Sequence, residues 1–168
     1  MSVPLMAEGE FALVKDYLDV ASKKPLTTQG MPVNDTVLNF MLADSAVLQH
    51  DEAALRQYAP LAEETAVRDG HKLFQGSAQR ALGVLHRLTG DYVQAEHNLL
   101  QALRIFEVLE TKWQLGRTLV ELAELATART DYAQARDYYV RALESFTEMG
   151  AKPDMERTQN ALNSLPAG

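Results

Sequence analysis

Arg80, Arg87 and Arg117 are the side chains with the most recognisable chemistry in this chain. A guanidinium presents a planar fork of donors that grips a carboxylate through two bonds. Three of them in a chain with 16 Lys and Arg against 23 Asp and Glu, a formal charge of −7, raise the question of what they hold. An acidic peptide segment or a C-terminus is one answer. The other is internal pairing with Asp44, Glu121 or Glu124. Catalytic groups are harder to assemble. The histidines, His50, His71, His86 and His97, include no His-x-x-x-His pair, so no metal is expected. Glu63-Glu64 and Glu107/Glu110 have helix-surface spacing, which suits a solvated face better than an acid–base pair. Gly76 and Gly83 lie inside a helical pattern rather than at a strand-to-helix turn, so they make no phosphate loop. With no Gly-x-Ser-x-Gly elbow either, neither an enzyme nor a cofactor is expected.

The bulk numbers agree with a binding protein. The 168 residues suit one compact domain or a short solenoid. Apolar residues make up 46% and are rich in Ala and Leu, the profile of closely packed helices. The acidic balance argues against nucleic acid, which demands clustered Lys and Arg, and against anionic membranes. Absent cysteine removes disulfides, thiolate metal sites and a thiol nucleophile. The first residues show no basic stretch leading into an apolar run, and no window reaches a membrane span of roughly 18 apolar residues. A cytoplasmic protein is the expectation.

What positions the arginines is a repeat. Gly90-Asp91-Tyr92-Val93-Gln94-Ala95 is echoed forty residues later by Thr130-Asp131-Tyr132-Ala133-Gln134-Ala135. Ala102-Leu103-Arg104-Ile105-Phe106 is echoed by Ala142-Leu143-Glu144-Ser145-Phe146. A weaker echo passes through Asp51, with Leu42-Ala43 matching Leu82-Gly83. Units of 36–75, 76–115 and 116–155 follow. In each, two helical stretches flank an Asp that is placed to cap the second by accepting backbone N–H bonds. The apolar positions recur at spacings of three and four, and small residues such as Gly83, Ala95, Ala123 and Ala135 mark close helix approach. Pro60, nine residues into a second helix, predicts a kink or break near residues 58–60.

Leu82, Gly83, Gly90, Asp91, Tyr92, Ala95, Leu99 and Ala102 resemble the tetratricopeptide repeat pattern. The next unit supplies Leu122, Ala123, Asp131, Tyr132, Ala135, Tyr139 and Ala142. One departure is the period: six residues beyond the family's 34 add about 9 Å of helix over the pair. Such longer units resemble those of bacterial regulators and motor light chains. The resemblance implies an all-α, right-handed superhelical solenoid of three helix pairs, with capping helices at both ends. The N-terminal portion, 1–35, would hold a helix over 7–23, possible as a half-repeat, and a Pro/Gly/Thr-rich loop. A final helix opening at Pro153-Asp154 would form the cap and tail over 156–168, with Glu156, Arg157, Gln159 and Asn163 on its polar outer face.

In that family the concave groove is lined by first helices. Carried onto this chain, the groove residues are Phe40, Asp44 and Val47, then Arg80, Val84 and Arg87, then Arg117, Val120 and Glu124. Val84 and Glu124 stand where the carboxylate-clamp version would favour asparagine. The function implied is a scaffold or adaptor module that binds a protein or peptide, as a monomer or homodimer. The alternative is a chaperone or regulatory sensor controlled by its N-terminal segment or by dimerisation.

Overall fold

The computed structural model describes residues 35–166. Those residues form seven α-helices: α1 (Asp35–Gln49), α2 (Glu52–Arg68), α3 (Lys72–Leu88), α4 (Tyr92–Val108), α5 (Lys112–Ala128), α6 (Tyr132–Met149) and α7 (Lys152–Ser164). The expected N-terminal helix over 7–23 and its loop lie outside the described residues. The helices pair as α1/α2, α3/α4 and α5/α6, each packing on the next, with α7 closing the last pair. This is an all-α solenoid of helix pairs.

Cap chemistry sets the period. Asp51, Asp91 and Asp131 each accept a bond from the backbone N–H three residues on, at 3.0, 3.2 and 3.1 Å. An aspartate there satisfies one of the donors that a helix start leaves open. The helices they cap therefore open at Glu52, Tyr92 and Tyr132, forty residues apart. Between helices the chain reverses through one left-handed residue each time: His50, Gly70, Gly90, Glu110, Thr130 and Gly150. These are the αL positions that end a helix and release its last carbonyls to the turn.

Packing within a pair depends on small residues opposite large ones. A Cβ on Gly116 would stand 2.6 Å from the Phe146 ring, and one on Gly83 2.6 Å from Leu99. The missing side chains let α5 approach α6, and α3 approach α4, close enough to enclose Phe146 and Leu99 completely. Burying such a side chain contributes roughly 1.5–3 kcal/mol. Ala62, Ala102 and Ala142 repeat the same economy of size at equivalent positions, all in the core.

Pro60 corrects part of one expectation, since the helix does not break there. The helix α2 runs unbroken from Glu52 to Arg68 with Pro60 inside it. Pro60 and Arg56, whose carbonyl loses its i+4 donor, are both exposed, so water can take the place of that bond. Ala59 and Ala62 on either side are buried, and their packing holds the helix together through the proline. The last helix, expected to open at Pro153-Asp154, opens at Lys152 with Pro153 in its first turn.

Candidate functional site

Successive first helices pack on one another, α1 on α3 and α3 on α5, more closely than successive second helices do. They occupy the inner radius of the stack, and α7 extends it. A hollow of about 280 Å³ opens on this side, with walls from α1, α3, α5 and α7.

Its base is a buried ion network. Asp44, on α1, accepts from Arg80 Nη2 on α3 and from Arg117 Nη1 on α5, both at 2.8 Å. Arg80 is fully enclosed, and Asp44 and Arg117 are 4% and 6% exposed, so all three charges are out of water. Arg80 Nη1 also donates to Gln114 Oε1 at 2.6 Å, and its guanidinium lies 5.4 Å from the Phe106 ring centre. The Arg117 guanidinium lies 4.7 Å over Trp113, whose Nε1 donates to Asp154 at 3.1 Å. Two donors of this network find no partner among the described residues: Arg80 Nε and Arg117 Nη2. Burial works to raise the Asp44 carboxyl, but the charges of Arg117 and then Arg80 outweigh it and hold it below the ordinary carboxylate value. Burial, reinforced by the charge of Arg117, lowers Arg80 to about 10.

A second network borders the first. Arg87 Nη2 donates to Glu121 Oε2 at 3.0 Å, and His50 Nε2 stands 3.5 Å from the same oxygen. Arg87 Nη1 reaches Glu124 at 4.0 Å, and the Tyr139 hydroxyl donates to Glu124 Oε1 at 2.6 Å. The bond to Glu121 raises His50 above its ordinary value, against burial. Burial pushes Glu121 up, yet His50 and Arg87 leave it net lowered. Burial and the bond to Glu124 both push the Tyr139 hydroxyl up.

Of the nine residues drawn from the sequence, Val47, Arg80, Arg117, Val120 and Glu124 line the hollow together. Asp44 and Arg87 are bonded to its lining residues. Val84 is fully buried in the core, and Phe40 stacks on Phe74 at a centroid distance of 4.5 Å. The internal pairing of the arginines with Asp44, Glu121 and Glu124 is what the side chains do. Four ionisable lining residues had no place in the sequence-derived groove: His50, Glu121, Asp154 and Arg157. Arg157, expected on the outer face of the cap, instead borders the hollow and donates to Asp154 at 3.0 Å. The i, i+3 spacing of Asp154 and Arg157 was the available signal.

A larger hollow, about 530 Å³, lies between α2 and α4 over α3. Its central polar groups are tied to each other: Gln79 donates to Glu63 at 2.8 Å and accepts from Asn98 at 2.7 Å. Among the described residues no group of His, Cys, Asp and Glu could hold a metal ion, and no helix is long and apolar enough to cross a membrane.

Comparison with known proteins agrees with the geometry. Residues 74–148 match the family model of the tetratricopeptide repeat. The crystal structure of BtubC (BKLC) from P. vanneervenii is similar in fold, with a TM-score of 0.56 at 16% identity, covering 98% of this chain and 79% of that one. Comparison with curated proteins found no match.

Proposed function

We propose, because residues 74–148 match the model of the tetratricopeptide repeat, a family whose repeats mediate protein–protein interaction, that this chain is a scaffold module binding a protein or peptide on its concave face. The ligand is an acidic segment or a C-terminus. One observation carries this reading: the first helices and α7 together wall a hollow whose base holds two buried arginines against one aspartate. A surface built from stacked helices is largely formed before its partner arrives, so little ordering entropy is lost on binding.

Arg157 gives a fair test, since it borders the hollow with a half-exposed side chain. Labelled peptides with acidic C-termini would be titrated against the full chain by fluorescence anisotropy. Arg157→Glu is expected to weaken capture at least fivefold. The same charge reversal at Arg104, exposed on the outer side of α4, is expected to change it less than twofold. Equal losses from both variants would mean that net charge alone is being read, and the concave-face assignment would fail.

A further inference from the structure

Two guanidiniums share the single Asp44 carboxylate, and they are not held alike. Arg80 keeps other partners: Gln114 Oε1, the Gln114 carbonyl at 3.4 Å and the Phe106 ring. Among the described residues Arg117 hydrogen-bonds to Asp44 alone, through Nη1, while its Nη2 is buried without a partner at the edge of the hollow. The Trp113 ring beneath it steadies the guanidinium without satisfying its donors. Two buried cations thus share one hydrogen-bonded carboxylate, with Glu121 reaching Arg80 only through its field, and a low-dielectric interior penalises such incomplete pairing.

We propose that Arg117 is an exchange point, at which a partner's carboxylate replaces Asp44 and thereby releases α1 from α5. This rests on the concave-face reading above and adds how that face is controlled. After exchange each arginine has one carboxylate: Arg80 keeps Asp44, and Arg117 takes the ligand through both Nη donors. The ligand is a carboxylate rather than a phosphate dianion, because Glu121, Glu124 and Asp154 border the hollow and repel additional negative charge. Asp44 therefore acts as an internal competitor. Its bond to Arg117 joins residues 73 positions apart and, with the His50–Glu121 contact, fastens the first helix pair to the third. Breaking it frees the first pair to rock.

Acetate is the probe, titrated into the full chain at constant ionic strength with chloride as balancing ion. Trp113 is the only tryptophan, so its fluorescence reports on Arg117 directly. The wild type should show a saturable acetate response, larger than that to phosphate and absent from Arg117→Gln. Asp44→Asn, which removes the competitor's charge, should bind acetate at least tenfold more tightly. Amide exchange along α1 in the wild type should accelerate several-fold with acetate, and this arm decides the matter if Asp44→Asn fails to fold. Affinities within threefold of each other, an unchanged or slowed α1, or a response no greater than that to chloride would each overturn the exchange. Peptide capture sensitive to Arg157→Glu without any acetate response would sink the exchange and leave the binding face. An acetate response without such capture would do the reverse.

Discussion

His50 Nε2 lies between two groups with opposite demands. Arg87 Nη2, 3.2 Å away, can only donate, whereas Glu121 Oε2, 3.5 Å away, can only accept. Neutral His50 takes the bond from Arg87, and protonated His50 gives one to Glu121, with Glu124 adding to the field. Because the folded value is raised above the ordinary 6.5, the stabilisation is fully present below that value and is lost as pH rises through the raised one. Glu121 works in the other sense. Its folded value is lowered, so its contribution is present above the ordinary 4.5 and is lost as pH falls through the lowered one. The half-exposed imidazole is screened by solvent, so its effect stays below about 1 kcal/mol. Urea unfolding between pH 5.5 and 8 should show the wild type weakening with rising pH and His50→Gln weakening less. Parallel curves would remove His50 from the account.

At the scale of helices, the contact between Gly116 and Phe146 has, with that between Gly83 and Leu99, the least slack. Phe146 is buried between α5 and α6, so a new methyl group would force its ring or the helices to shift. Gly116→Ala is expected to cost about 1–3 kcal/mol in chemical denaturation, and adding Phe146→Leu should recover part of it. Strict additivity of the two changes would show that the clash is relieved elsewhere. These same elements explain what the sequence could reveal. Asp91 and Asp131 declare their helices because a cap acts on residues three away, and local chemistry survives in a linear pattern. Pro60 does not break its helix because Ala59 and Ala62 hold it on either side, packing that propensity does not record. The first pair echoes weakly for a related reason. Thr36 and Ala66 stand where the later pairs have Gly76 with Phe106 and Gly116 with Phe146, so bulk has moved from one helix to its partner. The orientation of α7, which brings Arg157 to the hollow, depends on how three pairs stack and was out of reach of any local reading.

Across the whole molecule, stacked pairs should unfold almost as a sum of nearest-neighbour interactions. The Asp44–Arg117 bond departs from that scheme, because it joins α1 to α5 past the intervening pair. Asp44→Asn removes the carboxylate to which both buried arginines bond, which costs about 3–5 kcal/mol. It should also separate the melting of the first pair from that of the third, seen as non-coincident urea transitions by Trp113 fluorescence and circular dichroism. A single coincident transition in the variant would show that packing alone couples the pairs. The legible part of this network was the choice of partners, since Asp44 and Arg117 carry complementary charge in the sequence. Their meeting across two pairs was not, because it is set by the curvature of the stack.

Repeat proteins lengthen and shorten by copying or losing whole units. Inserting a duplicate of α3/α4 would move α5 away from α1 by about one further layer of helices, some 8–10 Å, leaving Asp44 with Arg80 alone and Arg117 without its carboxylate in the interior. Deleting that pair would bring them together in the wrong register and remove Arg80. The aspartate therefore counts the units. A lineage that keeps this bond can drift in sequence at the turns and outer faces, but it cannot change its number of pairs without first dismantling its centre.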